Sequence, residues 1–463
     1  MTDAPETAAE DRDELEGLYG ATDAVVRGVK KGIAETQPDV VTALIEPLHA
    51  ADMADLFEHL TPDERDILVT LVGADLDPEF FTHLDESVRE DVIEDLDTEQ
   101  LAEVVNELET DDAVGLIEGL DQSEQEQLLN AVAPAERALY EEALRYPEDS
   151  AGRLMDREAA TVPSYWNIGQ TIDYMRSDAD LPSNFYDIYI VGPTYRPVGL
   201  VPVSRLLRTE RPVGIGDIMD TELKLIPATM DQEDVAFLFR QYGLVSAPVV
   251  DDHGRLVGVI TVDDVVDVIE EEHQEDMLKL GGVSEDDFYD AVIDTTRSRF
   301  SWLLINLGTA ILASMVIALF DAAIDKVVAL AVLMPIVASM GGNAGTQTLT
   351  VAVRALAVKE LTTTNALRIV GKETLVGGIN GVLFAALMGF VAWFWFESVQ
   401  IGGVIAAAMV INLLLAGLAG TMIPLTLDRF GIDPAVASSV VLTTLTDVVG
   451  FLSFLGLAAL VLL

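Results

Sequence analysis

Residues 431–450 read GIDPAVASSVVLTTLTDVVG, and Asp447 is the only charged side chain in the apolar run from Val436 to Leu463. A lone ionisable group at bilayer depth costs roughly 2.5–3.5 kcal/mol on insertion scales, so it faces a protein interior or a water path and handles ions or protons. Thr443 lies four residues earlier, on the same helical face. A carboxylate with hydroxyl and carbonyl oxygens beside it suits a hard cation. Mg2+ sheds its water reluctantly and is held by one or two carboxylates. A proton relay, or an Asp that hydrogen-bonds a neighbouring helix, fits the same residues.

Upstream, four more apolar runs predict five spans in all: about 299–320, 327–357, 370–396, 401–427 and 436–463. The second holds PIVASMGGNAGTQ, residues 335–347, where Pro335, Gly341, Gly342 and Gly345 predict a loosened or broken helix. Non-helical backbone at that depth must be buried in protein or line a water path, and Gly342, Asn343 and Gln347 are candidate pore-lining residues. The other reading is a small-residue packing face between Gly341 and Gly345. With the amino terminus cytoplasmic, the inside flanks carry Arg297, Arg299, Arg354, Lys359, Arg368, Lys372 and Arg429, against Lys326 outside. The positive-inside rule then places the carboxyl terminus outside a plasma membrane.

The rest of the chain is built for another solvent. Of 78 acidic and 27 basic residues, only nine and eight fall in 291–463, leaving 69 and 19 upstream. A field of that sign repels nucleic acid and concentrates cations, although most of these carboxylates read as a salt-adapted, halophile-like surface. Residues 1–34 read as a disordered acidic tail with no signal-peptide core. Leu60, Val72, Leu84, Leu96, Leu108, Leu120, Val132 and Leu144 recur every twelve residues, which predicts a stack of short helices over 35–150. Two β/α segments follow, 151–212 and 213–262. LMD, TVPSYWNIGQTIDYMR and YIVGPTYRPVGLVPVSRLL in the first match IMD, LIPATMDQEDVAFLFR and PVVDDHGRLVGVITVDDVV in the second. Such a tandem resembles a pair of CBS domains. Residues 263–297 supply a charged linker helix, its apolar stripe read as Val265, Val266, Ile269 and Met277, leading into a pore domain over 298–463.

The chain has no cysteine, which excludes disulfides and thiolate metal sites. No Walker A pattern is present, and no second Asp lies deep in a span, as an intramembrane aspartyl protease would need. The chain therefore reads as a non-enzyme. Gly258, Thr261 and Asp264 fit the G-x-x-T-x-x-D pattern by which some CBS domains hold a nucleotide ribose. ATP or another adenine nucleotide is thus a candidate regulator.

LRYPEDSAGRLM (144–155), the CBS-like pair, the linker helix, GGNAGTQ and DPA to TTLTDVVG occur in the order of one family, and the sequence resembles the MgtE family of magnesium channels over nearly its whole length. The resemblance implies a multidomain membrane protein: an α-helical N-terminal superhelix, tandem α/β CBS domains, a linker (plug) helix and a five-helix transmembrane domain. It further implies a homodimer with a pore between subunits, Asp447 as the selectivity carboxylate and Thr443 lending its backbone carbonyl. Glu79, Asp111, Asp231, Glu233, Asp264, Asp267, Glu272, Glu275 and Asp276 match acidic regulatory positions, through which high cytosolic Mg2+ closes the pore. Gly115 and Gly243 stand where carboxylates would be expected. The ion passed is Mg2+, with Mn2+, Co2+ or Ca2+ as lesser substrates. The alternative is a proton- or sodium-coupled divalent carrier with Asp447 as coupling group.

Overall fold

The structure, a computed structural model, describes residues 20–72, 76–94, 96–177, 181–182, 184–283, 292–362 and 364–463. It forms two compact units, residues 1–270 and 271–463. The first begins with short helices α1 (Asp23–Ala34), α2 (Pro38–Ile45), α3 (Ala50–Glu58), α4 (Pro62–Val72), α5 (Glu86–Glu94), α6 (Thr98–Glu107), α7 (Thr110–Glu118), α8 (Gln122–Ala131) and α9 (Pro134–Ala143). Helices this short are marginal alone and depend on caps and packing. Asp97 and Asp121 each close a capping box, with Gln100 and Glu124, an N-cap being worth about 1 kcal/mol. Phe57, Phe80 and Phe81 meet edge to face in the core, with centroids 4.8 and 5.1 Å apart. The twelve-residue period marks helix ends: Leu108, Val132 and Leu144 are the C-caps of α6, α8 and α9. The expected tail is corrected over its second half, where Thr22 caps α1 and α1 buries Val29 and Gly32. Residues 1–19 lie outside the described residues.

Two matching sheets follow α10 (Ala151–Leu154). The first holds β1 (Thr161–Pro163), β2 (Asp187–Val191) and β3 (Pro197–Pro202), with α11 (Ile168–Met175) between β1 and β2 and α12 (Val203–Leu207) after β3. The second holds β4 (Ile226–Pro227), β5 (Ser246–Val250) and β6 (Leu256–Thr261), with α13 (Gln232–Tyr242) between β4 and β5. Register repeats too: Val162 pairs with Ile190 and Ile190 with Gly199, as Ile226 pairs with Val249 and Val249 with Gly258.

The boundary between the modules is crossed rather than sequential. Met155, of LMD, packs in the core of the second sheet, and Asp156 bridges to Val259. Met219, of IMD, packs against the first, and Asp220 bridges to Leu200. A Cβ at Gly258 would lie 2.7 Å from the Met155 sulfur, and one at Gly199 would lie 2.6 Å from that of Met219. Each glycine therefore makes room for the other repeat's methionine. The 151–212 and 213–262 division exchanges its leading segments.

Helix α14 (Val262–Gly281) runs across the boundary between the units. Val265 and Val268 are buried, with Ile269 packed on the same core. These are i, i+3 and i+4 positions of one face. Val266 and Met277 are exposed, which corrects the expected stripe.

Among its described residues the second unit holds five helices long and apolar enough to cross a membrane. They lie in α15 (Val292–Ala318), α17 (Ala329–Ala357), α18 (Ala366–Phe396), α19 (Val399–Arg429) and α20 (Pro434–Leu462), with the short α16 (Asp321–Lys326) before α17. Backbone hydrogen bonds satisfied within each helix are the condition for crossing hydrocarbon. Small residues bring α18 and α19 together: a Cβ at Gly417 would stand 2.5 Å from the Glu373 carbonyl, and one at Gly402 would stand 2.6 Å from that of Gly389. The core is Leu333, Val337, Ile405, Met409, Leu413, Phe454 and their neighbours.

Candidate functional site

Helix α17 is continuous from Ala329 to Ala357 with Pro335 inside it, so the expected break across GGNAGTQ does not occur. Gly341 and Gly345 are buried and packed instead, Gly345 against Leu442 of α20, as the small-residue packing reading has it. On the outward side, Ser339, Asn343, Thr346, Gln347 and Thr350 are all exposed. Their spacing draws one polar stripe along the helix. Through the middle of α15 and α18 the exposed side chains are mostly apolar by contrast, among them Leu303, Leu304, Leu307, Ile311 and Met315 on the first and Val382, Leu387 and Phe390 on the second. Ser301 and Ser314 are the exceptions there, and Arg297, Arg299, Arg368 and Lys372 are exposed near the helix ends. Asn343 reaches the Ser339 hydroxyl at 3.4 Å and Thr350 donates to the Thr346 carbonyl at 3.0 Å. A Cβ at Gly342 would meet open space. Sequence reading missed Ser339 and Thr350; their signal was position i−4 and i+7 relative to Asn343.

On α20, Thr443 is exposed and donates its hydroxyl to the Ser439 carbonyl at 2.8 Å. Asp447 is half-buried, and among the described residues its carboxylate has no hydrogen-bond or ion-pair partner. A packing Asp would carry a neighbour's hydrogen bond; this one does not. Gly341 and Gly450 both crowd the Asn412 amide, and Gly345 meets Leu442. The two helices are therefore antiparallel, and Asp447 lies at the depth of the Asn343 segment.

The soluble unit holds a second acidic feature, at the starts of α7 and α14. Asp111 Oδ1 is shielded from solvent and has no hydrogen-bond partner. Burial, then Asp264, Asp112 and Asp156, push its carboxyl well above the usual range. Burial first, with Asp264, Glu109, Asp267 and Glu79 adding, raises Asp112 to about 7. Asp156 also rises to about 7, chiefly through burial, against the Glu158 amide that it accepts at 3.0 Å. Burial raises Asp264 too, although the Thr261 hydroxyl and amide donate to it at 2.7 and 3.2 Å. Asp267 is raised by burial and eased by His83. Asp112 and Asp156 were missed; Asp156 stands in this cluster because LMD crosses into the second sheet.

Mutual repulsion and an orphaned oxygen fit a divalent cation in charge. Among the described residues, however, no three His, Asp or Glu groups gather to hold one. An ion there would keep most of its water, as Mg2+ does when bound by one or two carboxylates. Gly115, a turn beyond Asp111, leaves open space at its Cβ. Asp231 caps α13, accepting the Glu233 amide at 2.9 Å, and Gly243 ends α13 at φ 62°, a left-handed position that suits glycine.

At the far end of α14, Glu272, Glu275 and Asp276 share one face. Burial first, then Asp433, raises Asp276. Lys279 bridges Glu275 and, at 3.0 Å, Asp433. Burial opposes its charge, but these two carboxylates outweigh it and raise its pKa. Asp433 is itself the N-cap of α20, accepting the Ala435 amide at 2.7 Å. Leu280 packs beside Leu349, Val353, Ala435 and Leu442.

A soluble acidic module with paired sheets, joined to five apolar helices that carry a polar stripe and a solitary carboxylate, defines a multi-pass cation transporter. Residues 334–457 match a family model described as a divalent cation transporter, 48–149 the MgtE intracellular N domain and 215–271 a CBS domain. The magnesium transporter MgtE of Thermus thermophilus is 31% identical over 441 residues, 94% of this chain and 98% of that one. That of Bacillus subtilis is 31% identical over 332 residues, 71% and 73%. The crystal structure of the cytosolic domain of the Mg2+ channel MgtE in complex with ATP is 28% identical, covering 52% of this chain and 99% of that one, with a TM-score of 0.49. The chain belongs to the MgtE family of magnesium transporters.

Proposed function

We propose that the chain works as a homodimeric, Mg2+-selective channel, with Asp447 and Thr443 of each copy forming the selective constriction and Gly342, Asn343 and Gln347 lining the path. The observation that carries this is the polar stripe of α17 at the depth of an unpartnered Asp447, where the exposed side chains of α15 and α18 are mostly apolar. Polar groups on an outward membrane face need a water path or a second copy to satisfy them. Two carboxylates across a two-fold axis would hold one hydrated Mg2+. Inward passage of a divalent ion releases about 4.6 kcal/mol per 100 mV, so no hydrolysis is required.

Cytosolic Mg2+ at Glu79, Asp111, Asp231, Glu233, Asp264, Asp267, Glu272, Glu275 and Asp276 would relieve carboxylate repulsion and shift the population toward a closed state. Asp112 and Asp156 extend that set. An adenine nucleotide is a regulator in this scheme, its ribose accepted by Asp264, which Thr261 already orients. The amino-terminal unit is cytoplasmic and the carboxyl terminus outside a plasma membrane. Reconstituted liposomes loaded without proton or sodium gradients test the channel. Mg2+ current that persists supports it; uptake that stops when either gradient is removed selects the coupled carrier.

A further inference from the structure

We propose that Asn412 is a positioning residue that sets the spacing between α17 and α20 behind the ion path, and so the placement of Asp447 against the polar stripe. This rests on the path proposed above. Asn412 is wholly buried on α19, and its amide nitrogen donates to the Val337 carbonyl of α17 at 2.9 Å. Because a carbonyl only accepts, that contact fixes which end of the amide faces α17.

The neighbours on both sides are glycines. A Cβ at Gly341 would overlap the amide nitrogen, and one at Gly450 would come within 2.8 Å of it. Gly341 precedes Asn343 by two residues and Gly450 follows Asp447 by three. Each ion-path segment thus leaves out a side chain where it meets one amide of a third helix. An amide among Met409, Leu413 and Val337 is a poor choice for packing alone, since its Oδ1 is shielded and has no partner. What the amide supplies that a leucine would not is a directional tie from α19 to the α17 backbone.

Asn412→Leu, which keeps the branched heavy-atom shape with somewhat more bulk and removes the tie, Gly450→Ala, and Gly450→Ala with Asn412→Ala test this in full-length protein. Mg2+ and Ca2+ flux into liposomes and thermal melting in detergent are read together. Asn412→Leu should lower the Mg2+ to Ca2+ flux ratio about three- to twentyfold, the range of one interhelical membrane hydrogen bond. Gly450→Ala should cut Mg2+ flux, and adding Asn412→Ala should restore most of the flux, since the vacated amide leaves room for the methyl, but not the Mg2+ to Ca2+ ratio, since the tie to the Val337 carbonyl is still missing. An unchanged flux ratio in a folded Asn412→Leu protein overturns the proposal. So does a double variant no better than Gly450→Ala alone. Asp447→Asn serves as the separate control: if it leaves the flux ratio intact, the ion path is wrong, while the coupling of Asn412 to Gly450 is still read in melting.

Discussion

In the soluble unit burial, with neighbouring carboxylates adding to it, raises the pKa values of Asp111, Asp112, Asp156, Asp264 and Asp267, and Asp112 and Asp156 reach about 7. In the membrane unit Asp447 is the only charged group on its helix face, half-buried, with no partner among the described residues. The crowded cluster can adjust its charge by taking up protons or a cation, and its response is graded over several groups. The solitary carboxylate has no such reserve, and in the proposed path its chemistry would be completed only by the ion that enters. Crowding suits sensing, and isolation suits selection.

The sharpest way to break the comparison is Asp447→Ala. It should reduce Mg2+ uptake in liposomes to background, whereas Asp111→Asn should leave open-state uptake intact. Next in size, neutralising Glu272, Glu275 and Asp276 together should leave the channel conducting at high internal Mg2+, measured by patch recording; a triple variant that closes normally removes α14 from gating.

The pH response is smaller. Carboxyls whose folded pKa values are raised favour the folded state fully below about pH 4, and that contribution fades as pH climbs to about 7. Melting of the soluble unit in Mg2+-free detergent solution should therefore fall by about a few degrees between pH 5 and 8. Asp112→Asn should flatten that slope, and millimolar Mg2+ should do the same. Smallest is Lys279→Met: the Mg2+ concentration that half-closes the channel should fall at most about fivefold, as partly exposed ion pairs contribute about 1 kcal/mol or less.

Much of this was legible in the chain. Apolar runs of about 20 residues report a bilayer directly, and the matched pairs Val162-Pro163 with Ile226-Pro227 and Val198-Gly199 with Val257-Gly258 report a duplicated sheet because register demands them. What escaped depends on long-range placement. Nothing local in LMD shows that Met155 and Asp156 complete the other repeat's sheet, so Asp156 was invisible as a member of the cluster. GGNAGTQ looked like a helix breaker because glycine is weak in an isolated helix. Here α19 and α20 occupy the space that Gly341 and Gly345 leave, and packing overrides propensity. Asn412 was hidden for the same reason: its meaning lies in two glycines 71 and 38 residues away.

Lys279 carries one more consequence. Its ammonium lies on Glu275 and Asp433 as a counter-ion fastened to the chain. A tethered group acts at an effective concentration in the millimolar range, so it occupies those carboxylates however scarce free cations become. Any divalent ion arriving there meets a resident competitor whose supply never varies. The junction between α14 and α20 then has a built-in threshold, set by the covalent chain rather than by the cytoplasm.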